Sequence, residues 1–187
     1  PLIAFIGVAL IAFFKNKELD MIGGIIAGLG ILFMGMDMMS GAMMPLRDSK
    51  EFVNIVSTFK NPLIGILVGA IFTAIIQSSS ASVGILIALA KSGVITLSSS
   101  IYVLFGQNIG TCITAVLASI GTSRNAKRTT IIHLSFNIIG TIIFVTISLL
   151  FPFADIVASL TPGNVPAQIA NVHTIFNIGT TILLLPF

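Results

Sequence analysis

Four long stretches of this chain, 61–90, 92–123, 129–154 and 156–187, contain no Asp, Glu, Lys or Arg. Soluble domains carry about 25% charged residues, which keep their surfaces wetted. Here the charged share is 8% of 187 residues, while 56% of the side chains are hydrophobic. A water-soluble fold built from them would be coated in bare hydrocarbon, and a disordered chain needs the opposite composition. Both a soluble globular enzyme and a disordered segment are therefore excluded. The remaining class is an integral membrane protein, multi-pass and all-α, because an open sheet cannot satisfy its backbone in lipid. A cell membrane, plasma or inner, is the expected location.

Charged clusters divide the chain into apolar blocks. Residues 2–14 form a short one, followed by a polar loop at Lys15, Asn16, Lys17, Glu18 and Asp20. Residues 21–46 are long enough to cross about 30 Å of hydrocarbon as a helix. The segment 47–61 is the most polar, and Phe52, Val53, Ile55, Val56 and Phe59 in it are spaced as the apolar face of an interfacial helix. We therefore divide the chain into entry helices over 1–46, an interfacial segment over 47–61 and a repeat unit over 62–187. Within that unit lie 62–90, a second block at 94–121, and ordinary spanning helices at 129–151 and 169–187. A basic loop, 122–128, separates the first pair from the second, and Pro152, Pro162, Gly163 and Pro166 mark another loop. The start at Pro1 and the apolar finish at Pro186 and Phe187 suggest a piece of something longer.

Two of the apolar blocks are interrupted near their centres. Gln77, Ser78, Ser79 and Ser80, with Ser82 just beyond, would point in every direction around a continuous helix. At least one hydroxyl would then face lipid unpaired, at a cost of several kcal/mol. Helix-packing glue is one way out; the cheaper one breaks the helix in a protein-lined cavity. Such a break exposes backbone N–H groups and a positive dipole end to an anion. The same hydroxyls and freed carbonyls offer oxygen to a hard cation such as Na⁺. The second interruption is Gly106, Gln107, Asn108, Ile109, Gly110 and Thr111, followed by Thr114. Two glycines four apart fit close helix packing, but a second break in the next segment reads as the other half of a transport site. Asn108, Thr111 and Thr114 lie on roughly one face. Neither interruption holds a Lys or Arg. An anion bound there needs cations brought in with it, which points to cation-coupled symport.

The remaining features discriminate less. His133, Phe136, Asn137 and Ile138 recur as His173, Phe176, Asn177 and Ile178, with Thr141 and Thr181 in register. Each His and Asn share a helix face; polar glue between helices and a proton or substrate path are both open. Asp37, midway along 21–46, is expensive in lipid and expected to face a bundle interior, as structural partner or ion ligand. The six methionines in 34–44 read as adaptable packing. A lone cysteine, Cys112, rules out an internal disulfide and a CxxC metal site. The net charge of +3 rests on too few groups to imply nucleic acid, and no organic cofactor is expected. The positive-inside count slightly favours a single crossing by 62–90: Arg47, Lys50 and Lys60 then join the side of Arg124, Lys127 and Arg128.

The string Q-S-S-S-A-S at 77–82, then G-Q-N-I-G-T-C-I-T-A at 106–115, resembles the sodium/phosphate cotransporter family, which includes the animal type II carriers and bacterial relatives. The likeness continues through R-N-A-K-R at 124–128 and H-L-S-F-N-I-I-G-T at 133–141. The resemblance implies an Na⁺-driven symporter of inorganic phosphate, built from two inverted repeats that each carry a QSSS-bearing re-entrant hairpin. It implies that 62–90 enters and leaves on the outer side, against the charge count. By the same likeness Gln77, Ser78, Ser79, Ser80 and Ser82 contact substrate and ions, with Asn108, Thr111 and Thr114 lining the site. Sodium would fall to Gln77, Ser78, Asn108 and Thr111. This chain has one QSSS, so the first repeat would come from upstream sequence or a second copy. Alternatives from other classes are a passive anion channel, a non-transporting membrane scaffold, and an intramembrane serine hydrolase with His133 or His173 as base. For the last there is no GxSxG elbow, and Ser80 is not followed by glycine.

Overall fold

The computed structural model describes residues 1–14, 16–43, 45 and 48–187, and the side chains of these except Ser40, Met43, Phe52 and Val53. Lys15 and Arg47 of the charge count lie outside the described residues, as do the side chains of Phe52 and Val53 in the expected interfacial face. Among the described residues the chain is helical throughout: α1 (Leu2–Phe13), α2 (Lys17–Met43), α3 (Lys50–Thr58), α4 (Pro62–Ile76), α5 (Ser79–Lys91), α6 (Leu97–Ser119), α7 (Arg124–Leu150), α8 (Phe153–Leu160) and α9 (Val165–Leu184). Two compact units result, Pro1–Met43 and Met44–Phe187.

In the first unit α1 and α2 pack antiparallel through small residues, Gly7 lying on the backbone of Ala27 and Gly30 on that of Ala4. Lipid tails are as apolar as the helices, so close backbone approach and dispersion replace the hydrophobic drive of a soluble core. Asp37 is exposed within this unit.

The second unit is organised around α6. Asn61 caps α4 by accepting the N–H groups of Leu63 and Ile64, with Pro62 at the first helical position. Thr96 and Ser99 form a reciprocal capping box that starts α6. The two helices run parallel: Gly65 meets Tyr102, Gly69 meets Val103, Gly106 meets Ile66 and Gly110 meets Ala70 and Thr73. A β-carbon at Gly69 or Gly106 would run into the carbonyl oxygen of Val103 or Ile66.

From the end of α4 the chain turns, and α5 comes back beside it. Ser82, Leu86 and Leu89 share a cavity of about 170 Å³ with Val68 and Phe72 of α4 and Val103 and Gln107 of α6. On its other side α6 pairs antiparallel with α7, where the Thr141 hydroxyl donates to the Phe105 carbonyl at 3.3 Å and that of Thr130 to Ala115 at 3.2 Å. Four rings, Tyr102, Phe144, Phe153 and Phe176, surround the fully buried Phe105, with centroids 5.4–6.4 Å away. This cluster ties α6 to α7, α8 and α9.

Several expectations are corrected. The block 94–121 is not a broken helix: α6 runs unbroken through Gly106–Thr111. Its glycines serve close packing, and an unkinked path keeps every backbone bond inside the helix. Residues 124–128 are the first turn of α7 rather than a loop, with Ser123 as cap. The proline-marked connection contains α8. Lys17–Met39, α6 and α7 are the described helices long and apolar enough to cross a membrane, and α9 carries the polar residues Gln168, Asn171, His173 and Asn177. At 15 and 13 residues, α4 and α5 reach only about 20 Å each. The segment expected to be interfacial contains a helix, α3, with Val56 buried and Phe59 just beyond it packed on the core, while Ile55 is exposed.

Gly106→Ala should lower the thermal stability of the purified protein by about 1–3 kcal/mol through overpacking against Ile66. Gly84→Ala on α5, where nothing lies within 4 Å of a new methyl, should leave it unchanged or raise it by about 0.5–1 kcal/mol. Equal melting midpoints for both variants would contradict the close α4–α6 contact.

Candidate functional site

The first interruption is a real helix break. Gln77 closes α4 in the left-handed region at φ 58°, its N–H bonded to the Thr73 carbonyl at 2.7 Å. Among the described residues it is the one non-glycine with positive φ. A β-carbon there costs roughly 1–2 kcal/mol, and such strain persists where the surroundings enforce it. Ser78 follows in extended conformation and caps α5, its Oγ accepting the Ala81 N–H at 3.3 Å.

The N–H groups of Ser79 and Ser80 come before the first intrahelical bond, made by Ser82 to the Ser78 carbonyl. The side chains of Gln77 and Ser80 are exposed, and those of Ser78 and Ser79 partly so. Local chemistry explains the stop and restart: serine competes for backbone bonds inside a helix and is favoured at its N-cap.

Beneath the break, three buried oxygens have no hydrogen-bond partner among the described residues: Thr73 Oγ1 on α4, Ser82 Oγ on α5 and Gln107 Oε1 on α6. Thr73 and Ser82 are fully buried and Gln107 is 2% exposed. Gln107 Nε2 donates to the Ser82 carbonyl at 3.1 Å, which ties α5 to α6 next to the break. Thr73 and Gln107 were not among the candidates read from sequence. Thr73 carries no pattern beyond lying one turn before Gln77; Gln107 stood beside Asn108 between the two glycines, and that adjacency was the available signal.

The other candidates are placed differently. Asn108 is buried and donates to its own helix at Leu104, Thr111 to Gln107 and Thr114 to Thr111. Their hydroxyl and amide hydrogens are thus held within α6, and Thr114 is exposed.

The His–Asn echo splits. Asn137 bonds both its own helix, at the His133 carbonyl, and Cys112 Sγ on α6 at 3.3 Å, as polar glue does. Among the described residues Asn177 bonds only the His173 carbonyl, 2.8 Å away in its own helix. Neither histidine ring is hydrogen-bonded to Ser78, Ser79 or Ser80 among the described residues. An apolar cavity of about 260 Å³, lined by Ala70, Ile71, Ala74, Ile113, Val116 and others, does not contain the break.

Residues 46–161 match the model of the Na⁺/Pi-cotransporter family. An uncharacterized protein, YqeW, of Bacillus subtilis (strain 168) is 34% identical over 98% of this chain. The putative inorganic phosphate export protein YjbB of Escherichia coli (strain K12) is 26% identical over the whole of it. Human sodium-dependent phosphate transport protein 2B is 27% identical over 74%. The chain spans 59% of the Bacillus relative, 34% of the Escherichia one and 22% of the human one. No solved structure matches.

Four substitutions test these placements. Gln77→Gly removes the left-handed strain, so the melting midpoint should stay level or rise, whereas Gln77→Val should lose about 1 kcal/mol or more. Asn137→Ala should cost about 1 kcal/mol by breaking a bond between helices, and Asn177→Ala measurably less. Equal losses for the two asparagines would remove Asn137 from the α6–α7 contact.

Proposed function

The chain belongs to the Na⁺/Pi-cotransporter family, and from that premise we propose that it forms part of a membrane carrier moving inorganic phosphate together with Na⁺. The observation that carries the reading is the break at Gln77 and Ser78, set in a charge-free stretch above three unpartnered buried oxygens. On this reading α4 and α5 are the two arms of a re-entrant hairpin, each too short to cross alone, entering and leaving on the outer side.

Phosphate binds at the start of α5. The N–H groups of Ser79 and Ser80, the hydroxyls of Ser78, Ser79 and Ser80, and the Gln77 amide donate to its oxygens, with the helix dipole favouring negative charge. No lysine or arginine lies within 77–82 or 106–114, so Na⁺ supplies the compensating charge. Thr73 Oγ1, Ser82 Oγ and Gln107 Oε1 are hard oxygen donors on three helices, the kind of set that suits Na⁺ over a softer ion. Asn108, Thr111 and Thr114 have oxygen lone pairs left over after donating within α6, which supports a role for them as further ligands. The first repeat, from upstream sequence or a second copy, completes the site.

The test uses the whole protein that contains this chain, reconstituted in liposomes. Phosphate should accumulate against its own gradient when Na⁺ is higher outside, and should not when K⁺ replaces it. Ser79→Ala should reduce uptake about ten-fold or more, as expected for removing a hydrogen bond to a charged ligand worth roughly 1.5–3 kcal/mol, with expression and helicity unchanged. Downhill flux indifferent to Na⁺ would assign a channel, and no flux a scaffold. Saturable fluorophosphonate labelling of Ser78, Ser79 or Ser80 would assign a hydrolase.

A further inference from the structure

A second polar pocket lies away from the break, at the end of the bundle where α4 and α6 begin and α7 ends. It is a groove of about 220 Å³ lined by Lys60, Ser98, Ile101, Tyr102, Ser148 and Ala154. Lys60 precedes α4, Ser98 sits in the first turn of α6, Ser148 in the last turn of α7 and Ala154 in the first turn of α8.

Three of the four polar side chains here are donors without a partner among the described residues. The Lys60 ammonium, the Ser98 hydroxyl and the Tyr102 phenol make no hydrogen bond or ion pair among the described residues. The Ser148 hydroxyl donates to the Phe144 carbonyl at 2.7 Å and keeps its lone pairs free. No carboxylate lines the groove; Asp155 on α8 is exposed and outside it. Tyr102 is held by an edge-on contact to Phe105 at 6.2 Å, which fixes its ring independently of any ligand.

We propose that this groove holds the phosphate group of an anionic phospholipid headgroup. The charge is complementary: one cation and two free hydroxyl donors converge on a space without an acid, which suits a phosphodiester. The level is also that of headgroups, since helices that cross the bilayer end here, and Lys and Tyr are placed at such interfaces. Flanking side chains decide for a lipid over the free ion. Leu63, Leu149 and Leu150 are 81%, 64% and 72% exposed beside Lys60 and Ser148, and offer hydrocarbon on which acyl chains can lie. A small inorganic anion makes no use of them. The groove is separate from the proposed transport site: its residues lie at the start of α4 and α6, the break at the end of α4.

Native mass spectrometry of the whole detergent-purified protein tests this with short-chain phosphatidylglycerol and phosphatidylcholine as probes. The wild type should bind the glycerol lipid preferentially. Lys60→Gln, which keeps the apolar stem and removes the charge, should weaken that binding about five-fold. Tyr102→Phe should weaken it while preserving the contact to Phe105, and Lys127→Gln at the opposite end should not. Equal affinity for the two lipids, or undiminished binding by both groove variants, would overturn the proposal. So would inorganic phosphate that displaces the lipid and itself binds in a Lys60-dependent manner, because the groove would then belong to the free ion. Loss of phosphate uptake by Ser79→Ala bears only on the transport site, so the two readings fail separately.

Discussion

The close approach of α4 to α6 is the contact on which the rest of the second unit depends. In hydrocarbon no hydrophobic drive separates helix from lipid, and two helices stay together only where their backbones come near enough for dispersion to add up. Gly65 and Gly69 on one side, Gly106 and Gly110 on the other, supply that proximity. Because the pair runs parallel, the end of α4 arrives beside the middle of α6. The broken turn at Gln77 and Ser78 is thereby suspended over a continuous helix instead of over lipid.

That placement makes the polar break affordable in a chain with so little charge. Thr73, Ser82 and Gln107 bring their oxygens from three different helices into the protein interior, where unpaired polar atoms are costly unless something else meets them. A rigid partner on the far side keeps α6 in position. Phe105 sits among four other rings, and Thr141 and Thr130 add hydrogen bonds to its backbone and that of Ala115. One face of α6 is therefore made for backbone contact with α4, and the adjoining face for ring packing with α7, α8 and α9.

The two polar interruptions are built differently, for a physical reason. A run of three hydroxyls cannot be hidden around a helix circumference, so Gln77–Ser80 declared its break locally. Glycines four apart around an amide pair satisfy two structures equally well, a break or a tight crossing. What chose the crossing was Ile66 and Ala70, residues 40 positions from Gly106 and Gly110 respectively, and no local pattern reports them. The His–Asn pairs show the same degeneracy. Asn137 reaches Cys112 on a neighbouring helix, whereas Asn177, in the same local frame, closes on its own.

The sequence by itself determined the solvent and the class. Charge-free stretches of this length require lipid, lipid requires helices, and the serine run requires a helix to stop. It also carried the family likeness in the strings at 77–82 and 106–115. Only the structure decided that α6 is unbroken and that the basic residues 124–128 begin a helix. It alone brought Thr73 and Gln107 to the break and Lys60 to Tyr102. Side-chain pattern fixes what a segment must avoid in hydrocarbon; which neighbour meets each polar atom depends on contacts between residues far apart in the chain.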